Sequence, residues 1–134
     1  MAALARLSAV LVAPLLLAAG ACEETPPAGG VAVPSGRAVQ VLDVITNAPG
    51  PAGATARFRF VAAAAQKGDD WSADMQALCD GYALPRTEGM VPAPQQIVIV
   101  VSDRALPFGE AAPEAVQFFE SYRIEGTSCI WEMF

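Results

Sequence analysis

Few residues of this chain can do chemistry: three cysteines, some arginines, scattered carboxylates, and no histidine at all. The missing imidazole excludes Ser-His-Asp and Cys-His nucleophilic catalysis. It also excludes most zinc sites, because Cys79 and Cys129 alone supply only two ligands. The glycines at 29, 30, 36, 50 and 53 lie among prolines, outside the strand–loop–helix setting of a phosphate loop. Asp69, Asp70 and Asp74 are too few oxygens at the wrong spacing for a calcium loop. The expectation is therefore no catalytic residue, no metal and no cofactor.

What remains is charge. Arg57 and Arg59 alternate with Phe58 and Phe60, so both guanidiniums share one strand face. With Arg123 they can form a docking patch for an anion or carboxylate. The competing reading is solubilising charge on a half-exposed strand. Asp103 and Arg104 follow the most apolar run of the folded part, and strand ends carry function in many α/β sheets. A local ion pair is the alternative there. These five residues make up the candidate binding surface. Glu120 and Glu132 can approach each other in a hairpin, and paired carboxylates can do acid–base work. Isolated acids in an acidic protein are more commonly solvated. Trp71 and Trp131 can mark a groove, although a small domain more commonly keeps tryptophan in its core.

The elements that must hold these residues follow from periodicity and punctuation. Residues 38–46 are β-branched and partly alternating, which predicts a first strand. Asn47 to Gly53 then forces a Pro/Gly loop. Thr55 to Val61 alternates cleanly, turns Phe58 and Phe60 to the core, and pairs antiparallel with the first strand. A helix follows Gly68-Asp69-Asp70, with Asp70 or Ser72 as its cap. Trp71, Met75, Leu78 and Cys79 form its apolar stripe. Asp74 suits the helix dipole, and Gly81 and Pro85 end the helix.

Gln96 to Ser102 reads as a central strand covered on both faces. Residues 114–124 carry two signals. Ala115, Phe118, Phe119 and Tyr122 sit at helical spacing behind Pro113. The flanks of Glu125-Gly126, however, resemble a two-residue hairpin. The hairpin is preferred, and it puts Tyr122 opposite Cys129 and Glu120 opposite Trp131. The expected fold class is α+β: a small, mostly antiparallel sheet of four to five strands against one or two helices, with one disulfide.

The N-terminus has a different character. One charge, Arg6, precedes an apolar run from Leu7 to Ala19, and small residues lead to Cys22. Thirteen helical residues reach only ~20 Å, against a hydrocarbon core of ~30 Å. A membrane span is therefore disfavoured, and a bacterial export signal over residues 1–21 is expected. Ala19-Gly20-Ala21 suits ordinary signal peptidase. The same residues with Cys22 resemble a lipobox, although Ala19 stands where leucine is usual. Cysteine parity favours lipidation of Cys22, because Cys79 and Cys129 can then pair in an oxidising compartment. Two buried free thiols are the alternative. Neither cysteine lies in a Cys-x-x-Cys motif, so a redox-active pair is not expected.

Removal of residues 1–21 takes away only Arg6 from the eight Lys+Arg, so seven face 14 Asp+Glu. Such an acidic chain is unsuited to nucleic acid, which needs clustered Lys and Arg. Residues 22–36 are Pro/Gly-rich and read as a flexible tether spanning about 20 Å. Residues 37–134 form a single domain.

Three stretches carry a resemblance: Ser102-Asp-Arg-Ala-Leu-Pro-Phe-Gly-Glu, Gln117-Phe-Phe-Glu-Ser-Tyr-Arg and Cys129-Ile-Trp-Glu-Met-Phe. Over about residues 37 to 134 the chain resembles a small family of alphaproteobacterial exported proteins, a domain of unknown function. The resemblance implies no activity and transfers no catalytic residue. Some relatives bear an acetolactate synthase label, but so short a chain cannot supply the large domains that hold thiamine diphosphate.

Two expectations follow. The first is a non-enzymatic, lipid-anchored periplasmic binding or accessory domain that meets an envelope protein or another envelope component, or serves a larger envelope complex, and touches the membrane only through its N-terminal lipid; a soluble secreted form is the variant. The second is a small periplasmic hydrolase or lyase that uses Asp103, Glu120 or Glu132 with Arg104 in a concave pocket.

Overall fold

The computed structural model describes residues 29–50 and 53–133. The expected signal, Cys22 and the first part of the tether lie outside them. Five strands lie side by side in chain order: β1 (Gln40–Gly50), β2 (Gly53–Val61), β3 (Gln96–Ser102), β4 (Gln117–Glu125) and β5 (Ser128–Glu132). Only β2 and β3 run parallel, because the chain between them makes a crossover. The other neighbours are antiparallel. The fold is thus α+β with a mixed, mostly antiparallel sheet.

The crossover carries one helix, α1, over residues 72–86. It opens as α-helix, Ser72–Ala77, widens into a π-helical turn, Leu78–Ala83, and closes with Leu84–Arg86. Asp70 supports its start by accepting hydrogen bonds from the Ser72 backbone N–H at 2.9 Å and from its hydroxyl at 2.6 Å. The expected stop at Gly81 and Pro85 is corrected, since the helix runs on to Arg86. In a regular α-helix the Pro85 ring would press on the Gly81 carbonyl. Here the Leu84 N–H reaches back five residues to the Cys79 carbonyl, and Pro85 falls in the first turn of the closing segment, where proline is tolerated.

Alternation along β2 sorts its side chains as expected. Phe58 and Phe60 face α1 and are buried with Ile97, Ile99, Val101 and Tyr122 against Trp71, Met75, Leu78 and Cys79. Each buried side chain of this size contributes about 1.5–3 kcal/mol. Tyr82, presented by the π-turn, meets Phe60 edge-on at 5.5 Å between ring centres. β3 is buried along its whole length. Its second face, Val98 and Val100, lies outside the α1 core on the side of Arg57 and Arg59.

The disulfide Cys79–Cys129 ties the π-turn to the edge strand β5 across 50 residues of chain. Beside it, Asp80 accepts the Cys129 N–H at 2.8 Å and Gln76 donates to the Cys129 carbonyl at 2.9 Å. Two helix side chains thus occupy backbone groups that an edge strand would leave open.

Three expectations change in register or boundary. β4 and β5 form the preferred hairpin, but its turn is Gly126-Thr127, so Tyr122 pairs with Trp131 and Ile124 with Cys129. Gly126 has φ of +60°, and the tight turn takes its glycine at that first central position. The predicted loop from Asn47 is largely strand, because β1 stays paired as far as Gly50↔Gly53 after an irregularity between Ile45 and Ala48. Structured contacts also begin before residue 37. The Val31 N–H bonds the Val39 carbonyl, Gly30 bridges Gln40, and Val33 joins the core. Ser35 then donates its N–H and hydroxyl to the buried Asp74 carboxylate.

Candidate functional site

On the sheet face away from α1, strand alternation lines up Arg57 and Arg59 beside Val98 and Val100, with Phe119 next across β4. The segment 103–116 leaves β3, crosses this face and returns to β4. Its ends are tied by a hydrogen bond from the Asp103 N–H to the Val116 carbonyl, 3.0 Å. Between segment and sheet lies a groove of about 400 Å³, bordered among others by Arg57, Val100, Leu106, Phe108, Glu110 and Phe119.

The two arginines are used very differently. Arg59 is 9% exposed and fully committed. Its Nε donates to Asp43 at 2.6 Å, Nη2 donates to the other Asp43 oxygen, and Nη1 donates to the Leu106 carbonyl at 2.7 Å. The Asp43 hydrogen bonds hold the guanidinium pKa above its ordinary value despite burial. This fork ties β1, β2 and the crossing segment together. The Arg57 guanidinium, by contrast, makes no hydrogen bond or ion pair with another described residue, and its Nε is buried without an acceptor among them. Phe108 stands over both, its ring centre 5.5 Å from Arg57 Cζ and 5.7 Å from Arg59 Cζ. Phe108 and Phe119 are themselves 50% and 47% exposed, so the groove carries half-open aromatic walls.

The other expected site residues do not join this groove. Asp103 and Arg104 form a local ion pair at 3.0 Å where the segment leaves β3. The Arg104 hydrogen bond holds the Asp103 carboxyl below its ordinary value, and Asp103 raises Arg104 in turn. Arg123 shares the sheet face but sits at its far end, paired with Glu125 at 2.9 Å and Glu132 at 3.6 Å. There it borders a separate recess of about 410 Å³ with Gln96 and Glu132. Gln96 in turn donates to the Ser121 hydroxyl at 2.6 Å.

The three candidate carboxylates have three separate settings. Glu120 lies on the α1 side of β4 and accepts the Trp131 indole N–H. Glu132 faces the opposite side, beside Arg123. Asp103 is with Arg104. Among the described residues, no three of the His, Cys, Asp and Glu side chains gather as a metal-holding group. Trp71 is core, as expected, whereas Trp131 is half exposed on the edge strand.

Sequence reasoning missed Phe108, Leu106 and Asp43. Asp43 left a trace, being the one charge in an apolar strand and falling opposite Arg59 once the hairpin register is known. Phe108 left none, since nothing in a loop with Pro107 and Gly109 says which face the ring will cover.

The chain matches a family of unknown function, DUF6497, over residues 12–134. No curated protein matches it. No solved structure matches it.

Proposed function

The chain belongs to the DUF6497 family, and on that premise we propose that it is an exported, non-catalytic binding domain. It is anchored through lipid on Cys22, stands in the periplasm, and recognises an envelope protein through the groove beneath residues 103–116. The observation that carries the reading is Arg57, whose guanidinium has no hydrogen-bond or ion-pair partner among the described residues and lies under an exposed phenylalanine. Arginine and aromatic side chains are the residue types that dominate protein recognition surfaces. Arg57 lines the groove, and a guanidinium there can donate charge-assisted hydrogen bonds to a partner's acceptor. The separate settings of Asp103, Glu120 and Glu132 support binding over a carboxylate-dependent hydrolase or lyase. The Cys79–Cys129 bond fits an oxidising compartment.

Two measurements test this. Intact mass of the membrane-extracted protein is expected to show loss of residues 1–21, acyl chains on Cys22 and two oxidised cysteines. A full-length, unacylated chain with free thiols overturns the address. A photoreactive residue at position 108 is expected to capture one envelope protein in living cells. An absence of any specific adduct overturns the binding reading.

A further inference from the structure

We propose that the groove takes a partner-protein segment bearing an aspartate or glutamate beside a large apolar side chain, with that carboxylate docked on Arg57. The inference rests on the reading of the groove as the partner surface and adds what the partner must present.

The charges in the groove select the anion. Arg59 is neutralised by Asp43, and its third nitrogen is spent on the Leu106 carbonyl. Among the described residues lining the groove, Arg57 is then the one cation left unpaired, and Glu110 adds a negative charge nearby. A phosphate dianion calls for several donors and net positive surroundings, which the described residues lining the groove do not supply. A carboxylate matches a single guanidinium, whose planar fork can meet both oxygens.

The walls select what carries the anion. Val100, Leu106, Phe108 and Phe119 surround Arg57 with apolar surface. An apolar side chain next to the carboxylate covers them, and the desolvation strengthens the ion pair. Small-molecule sites bury most of their ligand, whereas Phe108 and Phe119 stay half exposed. Such aromatic walls beside an arginine suit the surface of another protein. Long-range attraction does not help, because the whole chain carries a net charge of −6. The carboxylate must therefore be caught by contact, and geometry matters more than overall charge.

The test uses full-length protein in detergent micelles with isotope-labelled arginine, followed by NMR at the arginine Nε–H groups. The probes are acetyl-Phe-Glu-Phe-amide, its glutamine counterpart, and 3-phenylpropionate as a free small acid. The glutamate peptide is expected to move the Arg57 signal and to bind about tenfold or more tighter than the glutamine peptide. Arg57→Gln is expected to erase that difference, and Phe108→Ala to weaken both peptides. Arg57→Lys, which keeps the charge on a shorter side chain without the planar fork, is expected to lose most of the difference and serves if Arg57→Gln fails to fold. Equal binding of the two peptides, or no binding of either, overturns the proposal. Binding of phenylpropionate without the glutamate peptide also overturns it, in favour of a small organic acid. Capture of a partner from position 108 with no peptide preference removes the carboxylate assignment alone and leaves the groove as a partner surface.

Discussion

Arg57 and Arg59 are one residue type, two positions apart on one strand face, yet only one of them works for the fold. Arg59 makes three hydrogen bonds that join β1, β2 and the crossing segment. Arg59→Met is expected to cost about 2–3 kcal/mol, because the Leu106 carbonyl and the Asp43 carboxylate lose their donors. Arg57→Met is expected to leave stability unchanged or to raise it by about 1 kcal/mol, since the buried Nε has no acceptor to lose. Urea unfolding of both variants checks the contrast, and an equal loss in both would refute it.

Acid dependence also belongs to the residue scale. The Ser72 hydroxyl, foremost, holds Asp70 below the ordinary carboxyl value of 3.8, and Arg104 does the same for Asp103. Groups with lowered folded-state values stabilise the fold above their unfolded value, and that stability is lost as pH falls through the folded one. The melting temperature is thus expected to hold down to about pH 5 and to fall below 3.8. The double variant Asp70→Asn, Asp103→Asn is expected to show a shallower fall in melts taken between neutral and strongly acidic pH.

At the scale of elements, the edge strand β5 depends on α1. The disulfide, the Asp80 acceptor and the Gln76 donor all converge on Cys129. Closing so long a loop stabilises by up to about 4 kcal/mol in the chain-entropy model. Cys79→Ala with Cys129→Ala is expected to lower the unfolding free energy by up to about that amount. Hydrogen exchange is expected to rise first in β5 and the π-turn, while β3, buried throughout, stays protected. Fast exchange spread evenly over all five strands would contradict this picture of a locally pinned edge.

At the scale of the molecule, the folded unit reaches back to Gly29. Val33 fills part of the core, and Ser35 satisfies the buried Asp74 carboxylate together with Arg37 at 3.6 Å. A chain that starts at residue 37 loses the burial of Val33 and strips Asp74 of two donors. It is expected to be about 2–4 kcal/mol less stable than a chain that starts at residue 29. Thermal and urea unfolding of the two truncations decide it, and equal stability would return residues 29–36 to the role of a tether.

The amino-acid sequence by itself determined the elements whose signals are local. Period-two alternation around Phe58 and Phe60, the unbroken apolar run of β3 and the stripe from Trp71 to Cys79 each bury one face wherever they lie, so their class and inward faces were legible. The pairing of Cys79 with Cys129 was legible as a possibility, since both cysteines fall on inward faces of neighbouring elements. The tertiary structure decided what depends on distant partners. It set the parallel match of β2 with β3, a turn shifted by one residue, the continuation of α1 past Pro85, and the packing of Val33. It also separated Arg57 from Arg59. Their local sequence is the same alternation with phenylalanine; Asp43 from β1 and the Leu106 carbonyl from beyond β3, brought in by folding, satisfy one guanidinium, while the other finds no partner among the described residues.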